Sequence, residues 1–165
     1  MYLCGRIHQS IKKVVSKSQS RGYLASTLGC RCPRCREGKL FKNRTSMGFK
    51  RNMEMNKLCP VCGQPTEIEV GFYYGTSYVS YVLAVGISAA SFVFWFLTIG
   101  MSLEDNRFFI WIAVNGALLI CLQPWLMRVS RSLWISWFVK HDQDWRDHQP
   151  VDVSERLNED QANNW

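Results

Sequence analysis

Two long uncharged runs interrupt an otherwise polar chain. The first, YVSYVLAVGISAASFVFWFLTIG, carries no charged residue from Tyr78 to Gly100. The second, FFIWIAVNGALLICLQPWLM, is uncharged from Phe108 to Met127. At a rise of 1.5 Å per residue, about 20 helical residues cross a hydrocarbon core of about 30 Å. Each run therefore predicts a transmembrane helix. One such run alone also fits a buried core helix, but the remaining polar sequence is too short to wrap two. The connection is short, which makes the helices antiparallel neighbours.

The flanks follow a different pattern. Residues 1–29 form a basic, serine-rich lead, expected to be flexible and either solvated or resting on anionic lipid. The stretch from Gly63 to Ser77 is expected to act as a linker into the first span. After the second span, Leu126, Val129, Leu133, Trp137 and Phe138 fall on one side of a helical wheel. Arg128, Arg131, Ser132 and Lys140 fall on another. An amphipathic cytoplasmic helix is expected over 128–141, lying on the leaflet or extending the second span. The polar, acidic tail 142–165 is expected to be disordered. Within the spans, Asn115 is the central amide, and Ser88 and Ser91 are its candidate partners on the other helix. The row Ser80, Ala84 and Ser88, with Ala113, Gly116 and Ala117 opposite, is expected to permit close helix approach.

Charge sets the orientation. The net charge is +7, and the basic excess is concentrated at the front. Up to Ser77, fourteen Lys/Arg stand against Glu37, Glu54, Glu67 and Glu69, a balance of +10. Lys50, Arg51 and Lys57 precede the first span, and Arg128, Arg131 and Lys140 follow the second. The connection between spans has Glu104, Asp105 and Arg107. The positive-inside bias puts both termini in the cytoplasm. Tyr73, Tyr74, Tyr78 and Tyr81 gather where the first span begins, as rings at headgroup level do.

Seven cysteines bring in the chemistry. Four stand in two CPxC knuckles, Cys32-Pro33-Arg34-Cys35 and Cys59-Pro60-Val61-Cys62-Gly63, with residues 36–58 between them. Two residues between cysteines let both sulfurs wrap one ion, and two knuckles complete a tetrahedral site. The knuckle-bearing segment 30–70 is too small to bury a sufficient core alone, so a metal staple is expected. Zn2+ is the default ion for a closed thiolate site, with rubredoxin-like Fe or Cu(I) as alternatives. Dithiol redox chemistry is a further alternative, since Arg31, Arg34 and Arg36 are expected to lower thiol pKa values. A secreted disulfide framework is disfavoured: MYLCGRIHQSIKKVV has no continuous apolar stretch, and SQSRGYLAST before Leu28-Gly29-Cys30 is too polar for an export signal. Cys30 reads as a bystander, Cys4 lies in the N-terminal tail, and Cys121 reads as a small packing residue of the second span. His8, His141 and His148 are scattered, and no catalytic constellation is evident. The fold class is thus a membrane α-helical hairpin of two transmembrane helices with a small N-terminal zinc-ribbon-like β/loop module.

The order CPRCREGKLF, CPVCG, Glu67-Ile68-Glu69, GFYYGTSYVSY, two spans and RSLW resembles the bacterial domain of unknown function 983 family over roughly residues 30–140. The GFYYG-type segment directly before the first span carries most of that resemblance. It implies a zinc-binding N-terminal part, two helices in the bacterial inner membrane and no assigned activity. Gene neighbourhood associates some members with respiratory oxidase assembly. One departure is Arg36, where a knuckle glycine is usual.

Three functional classes follow. The first is a non-enzymatic interaction or adaptor protein with a membrane-protein partner and lipid contacts. The second is a metal-handling or respiratory-oxidase assembly factor. The third is a membrane-tethered nucleic-acid-binding module, permitted by charge and weakened by tethering.

Overall fold

The computed structural model describes residues 22–45, 48–100, 106–153 and 156. Four α-helices follow one another: α1 (Tyr23–Leu28), α2 (Phe49–Met53), α3 (Thr76–Thr98) and α4 (Arg107–Phe138). A 3-10 turn, Phe72–Gly75, leads directly into α3.

Helices α3 and α4 form an antiparallel hairpin, long and apolar enough to span a membrane. The richest 18-residue windows reach mean hydropathy 1.9 around α3 and 1.7 in α4, and only 6% of either window is buried. Most of their apolar side chains therefore face outward. Polar rungs tie the two helices together. Asn115 donates from Nδ2 to Ser88 Oγ (3.1 Å) and accepts at Oδ1 from Ser91 Oγ (2.9 Å). Nearer the N-terminus of α3, Ser80 Oγ donates to Ser130 Oγ (2.8 Å). Both expected partners of Asn115 are thus engaged at once. Ala113 and Ala117 are exposed, however, so the small residues expected opposite Ser80–Ser88 do not all face α3. Glu104 and Asp105 lie outside the described residues.

The last eleven residues of α4 do not form a separate helix. The expected boundary at 127/128 is absent, and one 32-residue helix runs through it. The cause is burial: Leu126, Val129 and Ile135 are almost wholly enclosed, and Ile135 joins the core of the knuckle module. Leu40, Phe41, Phe72, Ile135 and Val139 make one core with three of the knuckle cysteines. Burying a large aliphatic side chain contributes about 1.5–3 kcal/mol, so this shared core, rather than helix propensity, holds the module on the hairpin.

The segment expected to be a linker is clamped as well. Trp134 Nε1 donates to the Phe72 carbonyl (2.8 Å), and Phe72 packs edge-on against Phe138 at 5.0 Å between ring centroids. Tyr73 Oη donates to the Thr66 carbonyl. Asn52, fully enclosed, donates from Nδ2 to the Pro124 carbonyl (2.7 Å) and so pins α2 to α4.

Three other expectations change. No β-strand is present among the described residues. The module is built on three isolated antiparallel bridges, Arg31↔Lys39, Phe41↔Met55 and Leu58↔Pro65. Its backbone groups are committed to tight knuckle turns, which leaves no run long enough for a ladder. The lead expected through residue 29 ends in helix α1, where Ser26 and Thr27 are buried and Tyr23 Oη pairs with Ser136 Oγ (2.9 Å). The tail expected to be disordered is ordered as far as Val153, which is 5% exposed. Arg34 holds it, as described below.

Candidate metal centre

Each knuckle is closed by two backbone bonds, one of them in the same register in both. In the first, the Cys32 N–H donates to the Gly38 carbonyl and the Arg36 N–H to the Cys32 carbonyl, both at 2.8 Å. In the second, the Cys59 N–H donates to the Gln64 carbonyl (2.8 Å) and the Gly63 N–H to the Cys59 carbonyl (3.0 Å). Arg36 and Gly63 occupy the equivalent position just after the second cysteine. Both are left-handed, with φ of 59° and 70°. The first knuckle thus keeps the glycine-type turn without the glycine. The strain of holding a side chain there costs about 1–2 kcal/mol.

These turns bring Cys32, Cys35, Cys59 and Cys62 together, with every sulfur within 4.8 Å of the others. Cys32 Sγ lies 3.7 Å from Cys62 Sγ, and Cys35 Sγ lies 3.8 Å from Cys59 Sγ. A disulfide needs about 2 Å, and all four are free thiols. A tetrahedron with metal–sulfur bonds of about 2.3 Å has edges of about 3.8 Å. The donor set therefore fits one tetrahedral, thiolate-preferring ion. Cys32, Cys35 and Cys59 are at most 3% exposed, while Cys62 is only partly covered. The Gly38 N–H points at Cys35 Sγ (3.5 Å), as an amide supporting a thiolate does.

Sharing of protons among the sulfurs splits the thiols. The hydrogen bond between Cys32 and Cys35 pushes Cys32 up and Cys35 down. The Cys32 contact likewise brings Cys59 down to about 6. The expected effect of nearby arginines is not the cause. Arg31 Nη1 donates to the Glu37 carbonyl (2.6 Å), and Arg34 turns the other way.

Arg34, in the middle of the first knuckle and 4% exposed, is the anchor of the C-terminal segment. Its Nη2 donates to the carbonyls of His148 (2.7 Å) and Gln149 (3.0 Å) and reaches Asp142 Oδ2 at 3.4 Å. Its own carbonyl accepts from the Asp142 N–H (3.2 Å) and pairs with His141 Nδ1 (2.8 Å). His148 Nδ1 sits 3.1 Å from Asp142 Oδ2. Two of the scattered histidines thus serve this strap and not the metal site. The strap was hidden in the sequence because its partners lie more than 100 residues apart.

Of the other cysteines, Cys30 stands outside the cluster, and burial pushes its thiol up to about 11. Cys121 is exposed on α4, and Cys4 lies outside the described residues.

Fold and site together define a hairpin of two long apolar helices capped by a four-thiol knuckle pair. The chain belongs to the family described as protein of unknown function (DUF983), whose model matches residues 49–138. The match takes in the second knuckle and both long helices and begins after the first knuckle. No curated protein and no solved structure matches the chain.

Proposed function

We propose that this chain is a two-pass membrane protein of the bacterial inner membrane with both ends in the cytoplasm. In this reading Cys32, Cys35, Cys59 and Cys62 hold one structural Zn2+, and the module works by binding a membrane-protein partner and not by catalysis. The observation that carries the reading is the shared core. Ile135 of α4 and Leu40 of the module, both 0% exposed, close one interior around the thiols. A module built this way presents a rigid face at a constant height above the bilayer, which suits an adaptor. All four thiols serve as ligands, which leaves no nucleophile at the site.

Outward-facing apolar windows support the membrane reading, since the core helix of a soluble protein is mostly buried. Lys50, Arg51, Arg128 and Arg131 at one end of the hairpin, against Arg107 at the other, support the orientation. A nucleic-acid role is disfavoured because Arg34 and Arg128 are turned inward. A metal-handling role finds support at one place, the partly covered Cys62, where an ion could be passed on.

The test is photocrosslinking in native membranes from the exposed module residues Lys39 and Lys57, with metal analysis of the purified protein. A defined membrane-protein adduct that disappears in Cys59→Ser, with zinc at one per chain, supports the adaptor reading. Copper or readily exchanged metal supports handling. A Cys59→Ser chain that complements a deletion fully would show that the module is not the working part.

A further inference from the structure

Arg131 sits on α4 four residues past Met127, the last residue of the uncharged run. At 1.5 Å per residue this is about 6 Å beyond the hydrocarbon edge. That is the depth of the headgroup layer, which adds about 5–7 Å on each side of a bilayer core. The guanidinium lies over the Tyr73 ring at 5.0 Å and donates from Nη1 to the Met53 carbonyl (3.2 Å). Its Nε is buried without a partner, and no carboxylate forms an ion pair with it among the described residues. Glu67, across the smaller cleft, acts on it through space without an ion-pair contact, so the half-buried cation keeps a free donor that an entering anion would complete.

Two clefts meet at this side chain. The larger, about 1020 Å³, is lined by Asn43, Lys50, Arg51, Met53 and Glu54 with Arg131. The smaller, about 400 Å³, runs past Tyr73 and Tyr74 to Glu67. Glu54 is already neutralised: Lys42 Nζ (2.8 Å) and Asn43 Nδ2 (2.9 Å) hold its carboxylate. The larger cleft therefore presents Lys50, Arg51 and Arg131 to whatever enters it. Three cations at headgroup depth, beside the Met53 side chain, match a phosphate group attached to an apolar body.

We propose that this cleft is a binding site for a phosphate-bearing anion, which in the membrane is the headgroup of an anionic lipid held between Arg131 and the α2 cations. The lipid form rests on the membrane reading above; the phosphate chemistry does not. Lys50 and Arg51 are exposed on α2, so they can be changed without disturbing the packing under Arg131.

The experiment uses the full chain. Membrane fractionation comes first: a chain absent from the membrane fraction defeats the membrane reading itself. The purified protein is then stripped of lipid and titrated with phosphatidylglycerol, phosphatidylcholine and inorganic phosphate. Binding is read by native mass spectrometry and by thermal shift. We expect one phosphatidylglycerol retained per chain, at least tenfold in preference to phosphatidylcholine, and a loss of that preference in Lys50→Gln/Arg51→Gln and in Arg131→Gln. Inorganic phosphate giving the same shift, with the same loss in the variants, supports the site and assigns it to a soluble anion. Equal retention of the two lipids with no response to phosphate overturns the proposal. So does binding that survives undiminished in the double variant.

Discussion

A β-carbon at Gly38 would stand 2.3 Å from the sulfur of Cys59, so the backbone of the first knuckle is pressed against a ligand of the second. Gly38→Ala should therefore displace Cys59 while leaving all four thiols in the chain. Disturbance of groups that orient metal ligands costs roughly 10–100-fold in affinity, and that loss is expected in competition with a chromophoric chelator. Unchanged affinity would mean that the cluster does not hold the ion.

Removal of a ligand outright is the stronger change. Cys59→Ser should take bound zinc from one per chain to well below half, by elemental analysis. Structural zinc contributes about 10–16 kcal/mol in small thiolate modules, so protease sensitivity should spread through residues 30–70. Sensitivity should stop short of the Asn115 rung, which lies farther along the hairpin from the shared core.

Asn115→Leu removes the amide that bonds Ser88 and Ser91 together. Interhelical hydrogen bonds in membranes contribute about 0.6–2 kcal/mol. A destabilisation in that range is expected in mixed-micelle unfolding, with metal content unchanged. A variant as stable as the parent would show that the rung is not holding the hairpin.

Arg34→Ala leaves two carbonyls of the C-terminal segment without their donor. A loss of about 1–3 kcal/mol is expected for a buried charge-assisted pair of bonds. Hydrogen exchange should rise over 141–153 first. Asp142→Asn should do the same more weakly. Partial burial pushes the Asp142 carboxyl up, but His148, the Asp144 amide and Arg34 outweigh it and hold it below the usual carboxylate range. Its contribution is thus complete above that range and is lost only as pH falls through the lowered value. Equal exchange in all three proteins at neutral pH would dismiss the strap.

Topology is checked independently. A reporter active only outside the cytoplasm should work when inserted at Asp105 and fail at the C-terminus. The reverse result would invert the orientation.

What the sequence made legible follows from the range of the interactions. The knuckles and the long helices are local patterns, and Asn115 with its two serines follows from helical spacing within facing runs. The four-thiol cluster needed only the CPxC turns. The ladder expected from a ribbon failed because Arg36 and Gly63 turn the chain sharply where strands would have to continue. The packing of Ile135 on Leu40, the grip of Arg34 on residues 142–149 and the pinning of Asn52 to Pro124 join positions 72 to 115 residues apart. No periodicity announces such pairs. Arg128 and Arg131 read as the polar side of an amphipathic helix, yet Arg128 lies over the Phe41 ring at 4.3 Å, and Arg131 lies over Tyr73.

Because α4 supplies Ile135 and the strap closes on Arg34, the two knuckles leave the ribosome long before the surfaces that cover them. Synthesis proceeds at about 5–20 residues per second, so the thiols stay uncovered for seconds while both apolar helices are still being made. The site can be sealed only after the end of the second long helix and the strap have been made. Burial of the thiols is in this sense a record of a completed chain, and one that stalls halfway keeps its cysteines open to oxidants, chaperones and stray metal.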